Sequence, residues 1–167
     1  MTLEQLNALP HDAARAELLR CCGSARWAES TLAQRPFADK ASALAAAAAA
    51  WDAIGETDWL EAFAHHPRIG GKDALRAKFA ATKSWAQGEQ AAVAAADEAT
   101  LDALATGNAD YEAKFGFIFI VCATGKSAAE MLALLNSRLP HDRASELRIA
   151  AGEQAKITKI RLEKLLP

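Results

Sequence analysis

The chain has 167 residues, 51% of them hydrophobic and 24% charged, a balance that excludes disorder over its whole length. A formal net charge of −2 gives no electrostatic case for nucleic acid or for an anionic membrane surface as a partner. The three cysteines, Cys21, Cys22 and Cys122, are odd in number and include an adjacent pair, which is no disulfide framework and points to a reducing, cytoplasmic setting.

Alanine, the strongest helix former, occurs 42 times, against two valines, seven isoleucines and one tyrosine. That imbalance predicts an all-α fold. In chain order, Thr2 and Gln5 form a capping box, and Pro10 opens a helix running to about Cys22. Ser24 starts another that ends before Pro36. Asp39 begins a helix to about Ala53 with Gly55 as its stop, and Thr57 opens a short one through Ala64. Pro67 and Gly70-Gly71 break the chain. Helices over Asp73–Ala80 and Trp85–Thr106 follow, Gly107 acting as a stop, and Asp110–Lys114 leads into Gly116. Ser127 begins a helix ending at Pro140, and Asp142 begins the last, through Leu166. The expectation is a single domain over residues 1–167, a bundle of about eight helices with short connections. Within it the run Ala45–Ala50 offers a smooth face that neighbours can approach closely. The one strand-like run, Phe117 to Val121, has no partner run and reads as buried helix or irregular backbone. No apolar stretch has the length and bulk of a membrane span, and Met1–Gln5 lacks the basic region of a signal peptide.

Four stretches could carry chemistry. In His65-His66-Pro67-Arg68-Ile69-Gly70-Gly71, proline forces His66 out of the α region. His66 therefore sits on a kinked loop after an apolar helix, a favoured place for a proton-transfer group. The plainer reading is two histidines closing a helix C-terminus. A shared metal is not expected, because adjacent histidines rarely ligate one ion and no HxxxH or CxxC is present. Further on, Glu89 lies on the same helical face as Ala92 and Val93, where its carboxylate needs a partner or water. Phe115, Phe117 and Phe119 alternate along one segment and could wall a pocket for a flat ring, or simply fill core. Arg161 follows Ile157 by one turn, so it lies near the inner face of the last helix and calls for a carboxylate; the plainer reading pairs it with Glu153 or Glu163 at the surface. A phosphate loop is excluded at Gly125-Lys126-Ser127, since Ile120 stands where its first glycine is required.

Together these segments resemble the OHCU decarboxylase family, which acts on 2-oxo-4-hydroxy-4-carboxy-5-ureidoimidazoline (OHCU). The resemblance rests on His66-Pro67-Arg68-Ile69-Gly70, Trp85-Ala86-Gln87-Gly88-Glu89-Gln90, the block from Tyr111 to Phe119, and Lys159-Ile160-Arg161-Leu162. It implies an all-helical, commonly dimeric enzyme without cofactor that forms (S)-allantoin in urate breakdown. It also implies that His66 is the catalytic histidine, Pro67 a substrate contact, Glu89 and Gln90 the family's Glu-Gln pair, and Arg161 its C-terminal arginine. Phe117, Ile118, Phe119, Ile120 and Val121 match a stretch whose backbone lines the substrate pocket. Ala86 stands where the family usually carries serine. The expected role is a carboxy-lyase with a small ureidoimidazoline substrate, His66 moving the proton with Glu89 and Arg161 beside it. The alternatives are another cofactor-free lyase or isomerase on a related ureide, and a helical interaction module with no such cluster.

Overall fold

The computed structural model describes residues 1–66, Leu75 and residues 90–167, with side chains from Glu98 onward in the last stretch. Among the described residues there are eight helices and no strand, the all-α class expected from composition. They are α1 (Leu3–Ala8), α2 (His11–Cys21), α3 (Ala25–Leu32), α4 (Lys40–Ala53), α5 (Glu56–Ala64), α6 (Gln90–Phe115), α7 (Ala128–Arg138) and α8 (Arg143–Leu165). Of the expected helix over Asp73–Ala80 only Leu75 is described, helical and buried, and the start of the one from Trp85 lies outside the described residues. No described helix is long and apolar enough to cross a membrane.

Short polar side chains set the helix starts. Thr2, Asp39 and Ser127 each form a reciprocal capping box, with Gln5, Ser42 and Glu130 respectively, and Ser24 accepts from the Trp27 N–H at 3.2 Å. Each satisfies an N–H that the helix itself leaves unpaired. One expected break is absent. Gly107 does not stop its helix, and α6 runs on through Asp110–Lys114 to Phe115. A Cβ at Gly107 would fall 2.6 Å from Leu135 Cδ2, so this glycine lets α7 approach α6. The stop is Gly116, whose φ of +80° favours a residue without Cβ. The run from Phe117 is irregular backbone.

The chain divides into two compact units. The first comprises Met1–His66, Ile120–Cys122 and Leu147–Pro167. Here α3 packs on α2, α4 and α5. Ala43, Ala47 and Ala50 are the buried alanines of α4, spaced as one helical face. Their small size brings α4 close enough for Trp27 Nε1 to donate to the Ala47 carbonyl at 2.9 Å. On the same helix Trp51 Nε1 donates to the Ala151 carbonyl of α8 at 3.1 Å. Two buried indoles thus bond to backbone, which removes the cost of an unpaired donor. The Met1 amine donates to the Leu165 carbonyl at 2.8 Å, which ties the first residue to the end of α8.

The second unit is drawn from Pro67–Phe119 and Ala123–Glu146. Its described core gathers around Tyr111, whose ring centroid lies 4.6 Å from Phe115, 5.9 Å from Phe117 and 5.1 Å from Phe119. Beside these rings Glu146 is fully buried. Its carboxylate accepts from Arg138 Nε at 2.6 Å and from the Tyr111 hydroxyl, and it lies 2.9 Å from His141 Nδ1. Burial, and then the neighbouring carboxylate, push the Tyr111 hydroxyl well above its ordinary range, so it stays a donor. The Arg138 guanidinium also stacks 4.7 Å from the Phe119 ring centroid. A buried carboxylate is tolerable only with such a set of donors. Arg138→Met should therefore destabilise the protein by roughly 3 kcal/mol, the cost of leaving a buried charge short of its partner, read as a lowered urea midpoint. An unchanged midpoint would mean that the network is dispensable.

Candidate active site

The first unit assembles a cluster around His66. Its helix, α5, ends at Ala64, and the next two N–H groups bond three residues back, His65 to Ala62 at 3.3 Å and His66 to Phe63 at 3.1 Å. The last turn of α5 thus tightens into 3₁₀-type bonds. It leaves His66 half-buried, with Nε2 2.6 Å from Gln154 Oε1.

Gln154 is fully buried on α8, and its Nε2 donates to Thr158 Oγ1 at 3.1 Å. Thr158 is itself buried. One turn beyond Thr158, Arg161 Nη1 donates to the Cys21 carbonyl at 3.2 Å. Gln154, Thr158 and Arg161 are spaced by four and three residues, which places them on one face of α8. The turn Cys21–Ser24 lies against both that face and the end of α5. Gly23 fits so closely under His65 that a Cβ there would lie 2.3 Å from His65 Cβ and 2.4 Å from its Cγ. Glu153, beside Gln154, accepts from the Cys122 N–H at 2.7 Å and from Lys156 Nζ at 2.5 Å. It thereby straps the segment Ile120–Cys122 to α8.

The electrostatics favour a neutral imidazole. Burial is the largest influence on His66 and lowers its pKa below the ordinary histidine value. The Gln154 hydrogen bond acts in the opposite sense, and the positive charge of Arg161 adds to the lowering. The two cysteines are not nucleophiles. Burial pushes the Cys21 thiol up to about 11 and raises Cys22 as well, so both stay protonated near neutral pH.

The structure places the expected residues unevenly. His66 and Arg161 are brought into one cluster, close enough for the charge of Arg161 to act on the imidazole. Arg161 meets a backbone carbonyl where the sequence calls for a carboxylate, because the Cys21–Ser24 turn ends α2 directly against it. Pro67 and Glu89 lie outside the described residues, as does the side chain of Gln90. Phe117 and Phe119 are buried with their rings on Tyr111, Ile118 and Val121 are half-buried, and Ile120 is buried. Sequence reasoning overlooked Gln154 and Gly23, and considered Glu153 only as a surface partner for Arg161, whereas it accepts from the Cys122 N–H. The first had a visible signal, a glutamine, a threonine and an arginine at helical spacing on a face that also carries apolar residues.

The OHCU decarboxylase family model matches residues 7–163. The chain belongs to the OHCU decarboxylase family. It is 37% identical over 145 residues to the uric acid degradation bifunctional protein TTL of Arabidopsis thaliana, covering 87% of this chain and 45% of that protein. It is 32% identical over 101 residues to the 2-oxo-4-hydroxy-4-carboxy-5-ureidoimidazoline decarboxylase of Amia calva, covering 60% and 57%. The chain thus spans about half the length of these curated relatives. Among solved structures it is similar to an OHCU decarboxylase crystallised in the presence of (S)-allantoin, with a TM-score of 0.70, 37% identity, and 89% of this chain and 96% of that one covered. An (S)-allantoin synthase structure, 21% identical and covering 99% of this chain and 54% of that one, shares the fold with a TM-score of 0.70.

The Gly23 contact makes the site sensitive to a single methyl group. Gly23→Ala forces the His65 backbone and the end of α5 to move. It should cost about 1–3 kcal/mol, as overpacking does, and appear as a lowered melting temperature. A variant as stable as the parent would show that the turn yields freely.

Proposed function

We propose that this protein decarboxylates OHCU to (S)-allantoin, with His66 as the acid-base group. The observation that carries this reading is a half-buried imidazole set against Gln154 at the end of α5, in a chain matched to the family over residues 7–163. A neutral imidazole can take a proton and return it near neutral pH.

The substrate supplies its own electron sink. As CO₂ leaves, the electron pair of the broken C–C bond forms a double bond to the ureido-bearing carbon. The π pair of the adjacent C=N moves onto nitrogen, which takes a proton from water. The hydroxyl then loses its proton as the carbonyl forms, and the ureido-bearing carbon takes a proton on one face. This accounting asks nothing of a cofactor. The assigned task of His66 is the transfer between the hydroxyl and that carbon. Arg161, half-buried and held by one Nη to the Cys21 carbonyl, keeps further N–H groups to offer a substrate carbonyl or carboxylate. Glu89 is assigned to orient or charge His66, and Pro67, Gln90 and the backbone of Phe117–Val121 to contact the ring, each on the strength of the family resemblance. The same reading has the protein working in the cytoplasm as a homodimer.

OHCU also decays unaided, so the test must follow both rate and handedness. With freshly generated OHCU, the protein should speed its loss and give a circular dichroism signal of (S)-allantoin. His66→Ala should slow turnover by about 10²–10⁴, the usual contribution of a positioned acid-base group, while keeping its helical spectrum. Spontaneous rates and racemic product from the parent protein would discard the activity.

The pH profile follows from the direction of the His66 shift. Protonation removes the base, so kcat/KM should be flat above the titration and fall on the acid side. Because the folded pKa is lowered, that limb should lie below the ordinary histidine value. A limb above it would assign the proton transfer to another group.

A further inference from the structure

Resting on the proposed role of His66, we infer that Gln154 is a positioning residue that fixes the imidazole as its Nε2–H tautomer and leaves Nδ1 as the atom that exchanges the proton with substrate. At the buried end of the network Gln154 Nε2 donates to Thr158 Oγ1 at 3.1 Å. The amide is thereby oriented, and its carbonyl oxygen faces the imidazole.

A carbonyl oxygen only accepts. At 2.6 Å from His66 Nε2 it requires a proton on that nitrogen for a hydrogen bond to form. Because burial and neighbouring positive charge keep the ring neutral, only one nitrogen carries a proton. That nitrogen is Nε2, so the lone pair is on Nδ1. Gln154 is itself fully buried and anchored through Thr158, so it cannot trade this arrangement for water. The step assigned to Nδ1 is balanced: its lone pair takes the hydroxyl proton as the substrate carbonyl forms, and the resulting N–H returns a proton to the ureido-bearing carbon.

Long-range proton–nitrogen spectra of histidine-labelled protein test this directly, with the His66 signals assigned by their loss in His66→Ala. Above the titration, the expected result is a protonated-type shift at Nε2 and an unprotonated one at Nδ1. The reverse pattern overturns the inference. In a second arm, Gln154→Met removes the acceptor at similar side-chain length and should lower kcat about tenfold, with KM changed less than twofold, a fraction of what a general base contributes. Gln154→Glu restores an acceptor oxygen and should keep the Nε2–H form with a kcat above that of the methionine variant. A methionine variant with parental kcat, or a glutamate variant with the Nδ1–H form, overturns the inference. The spectra need no substrate, so a failure of the decarboxylase assignment and a failure of the tautomer assignment show separately.

Discussion

A single buried amide holds the candidate site together. Gln154 has no access to water, so its oxygen and its nitrogen must both find partners inside the protein. The first is met by His66 and the second by Thr158. Everything around it is arranged so that these two bonds can form. Helix α5 stops where His66 can reach, and Gly23 lets the Cys21–Ser24 turn slide under His65. If the amide were left half-paired, the desolvation cost would fall on the site itself.

Helix α8 carries this design because its faces are used separately. Gln154, Thr158 and Arg161 look toward the histidine and the Cys21–Ser24 turn. Glu153 looks one residue away, toward the segment Ile120–Cys122, and accepts its N–H. One rigid element therefore holds both His66 and a stretch of irregular backbone. In the second unit a different device does comparable work. The carboxylate of Glu146 gathers Arg138, Tyr111 and His141, and the arginine then rests on the Phe119 ring. The residues just before Ile120 are held by aromatic packing, and the residues just after it by a carboxylate.

Much of the fold was legible before any coordinates. Alanine content announced the helices, and short polar residues announced where they begin, because capping is a local transaction between a side chain and the next turn. The irregular run from Phe117 was legible for a related reason, since it had no partner run to pair with. Gly107 misled because a glycine can either end a helix or admit a neighbour. Which role it plays depends on Leu135, 28 residues away, and no local pattern records that. The site divided along the same line. His66 could be singled out because proline acts on the residue before it. Arg161 could be placed on an inner face, yet its carbonyl partner lies 140 residues away. Gln154 was passed over because a glutamine on a helix is ordinary until an imidazole is found against it.

The alanines of α4 have a consequence that their monotony hides. From Ala43 to Ala50 the sequence is nearly a homopolymer, the kind of stretch usually regarded as filler that can drift. Yet Ala45, Ala48 and Ala49 face solvent, while Ala43, Ala47 and Ala50 are enclosed. Identical letters are thus under opposite constraints: the outer ones are free to vary in size, whereas the inner ones act as spacers of minimum thickness. A lineage could rewrite half of this helix without harm and would be stopped at the other half by the width of one methylene.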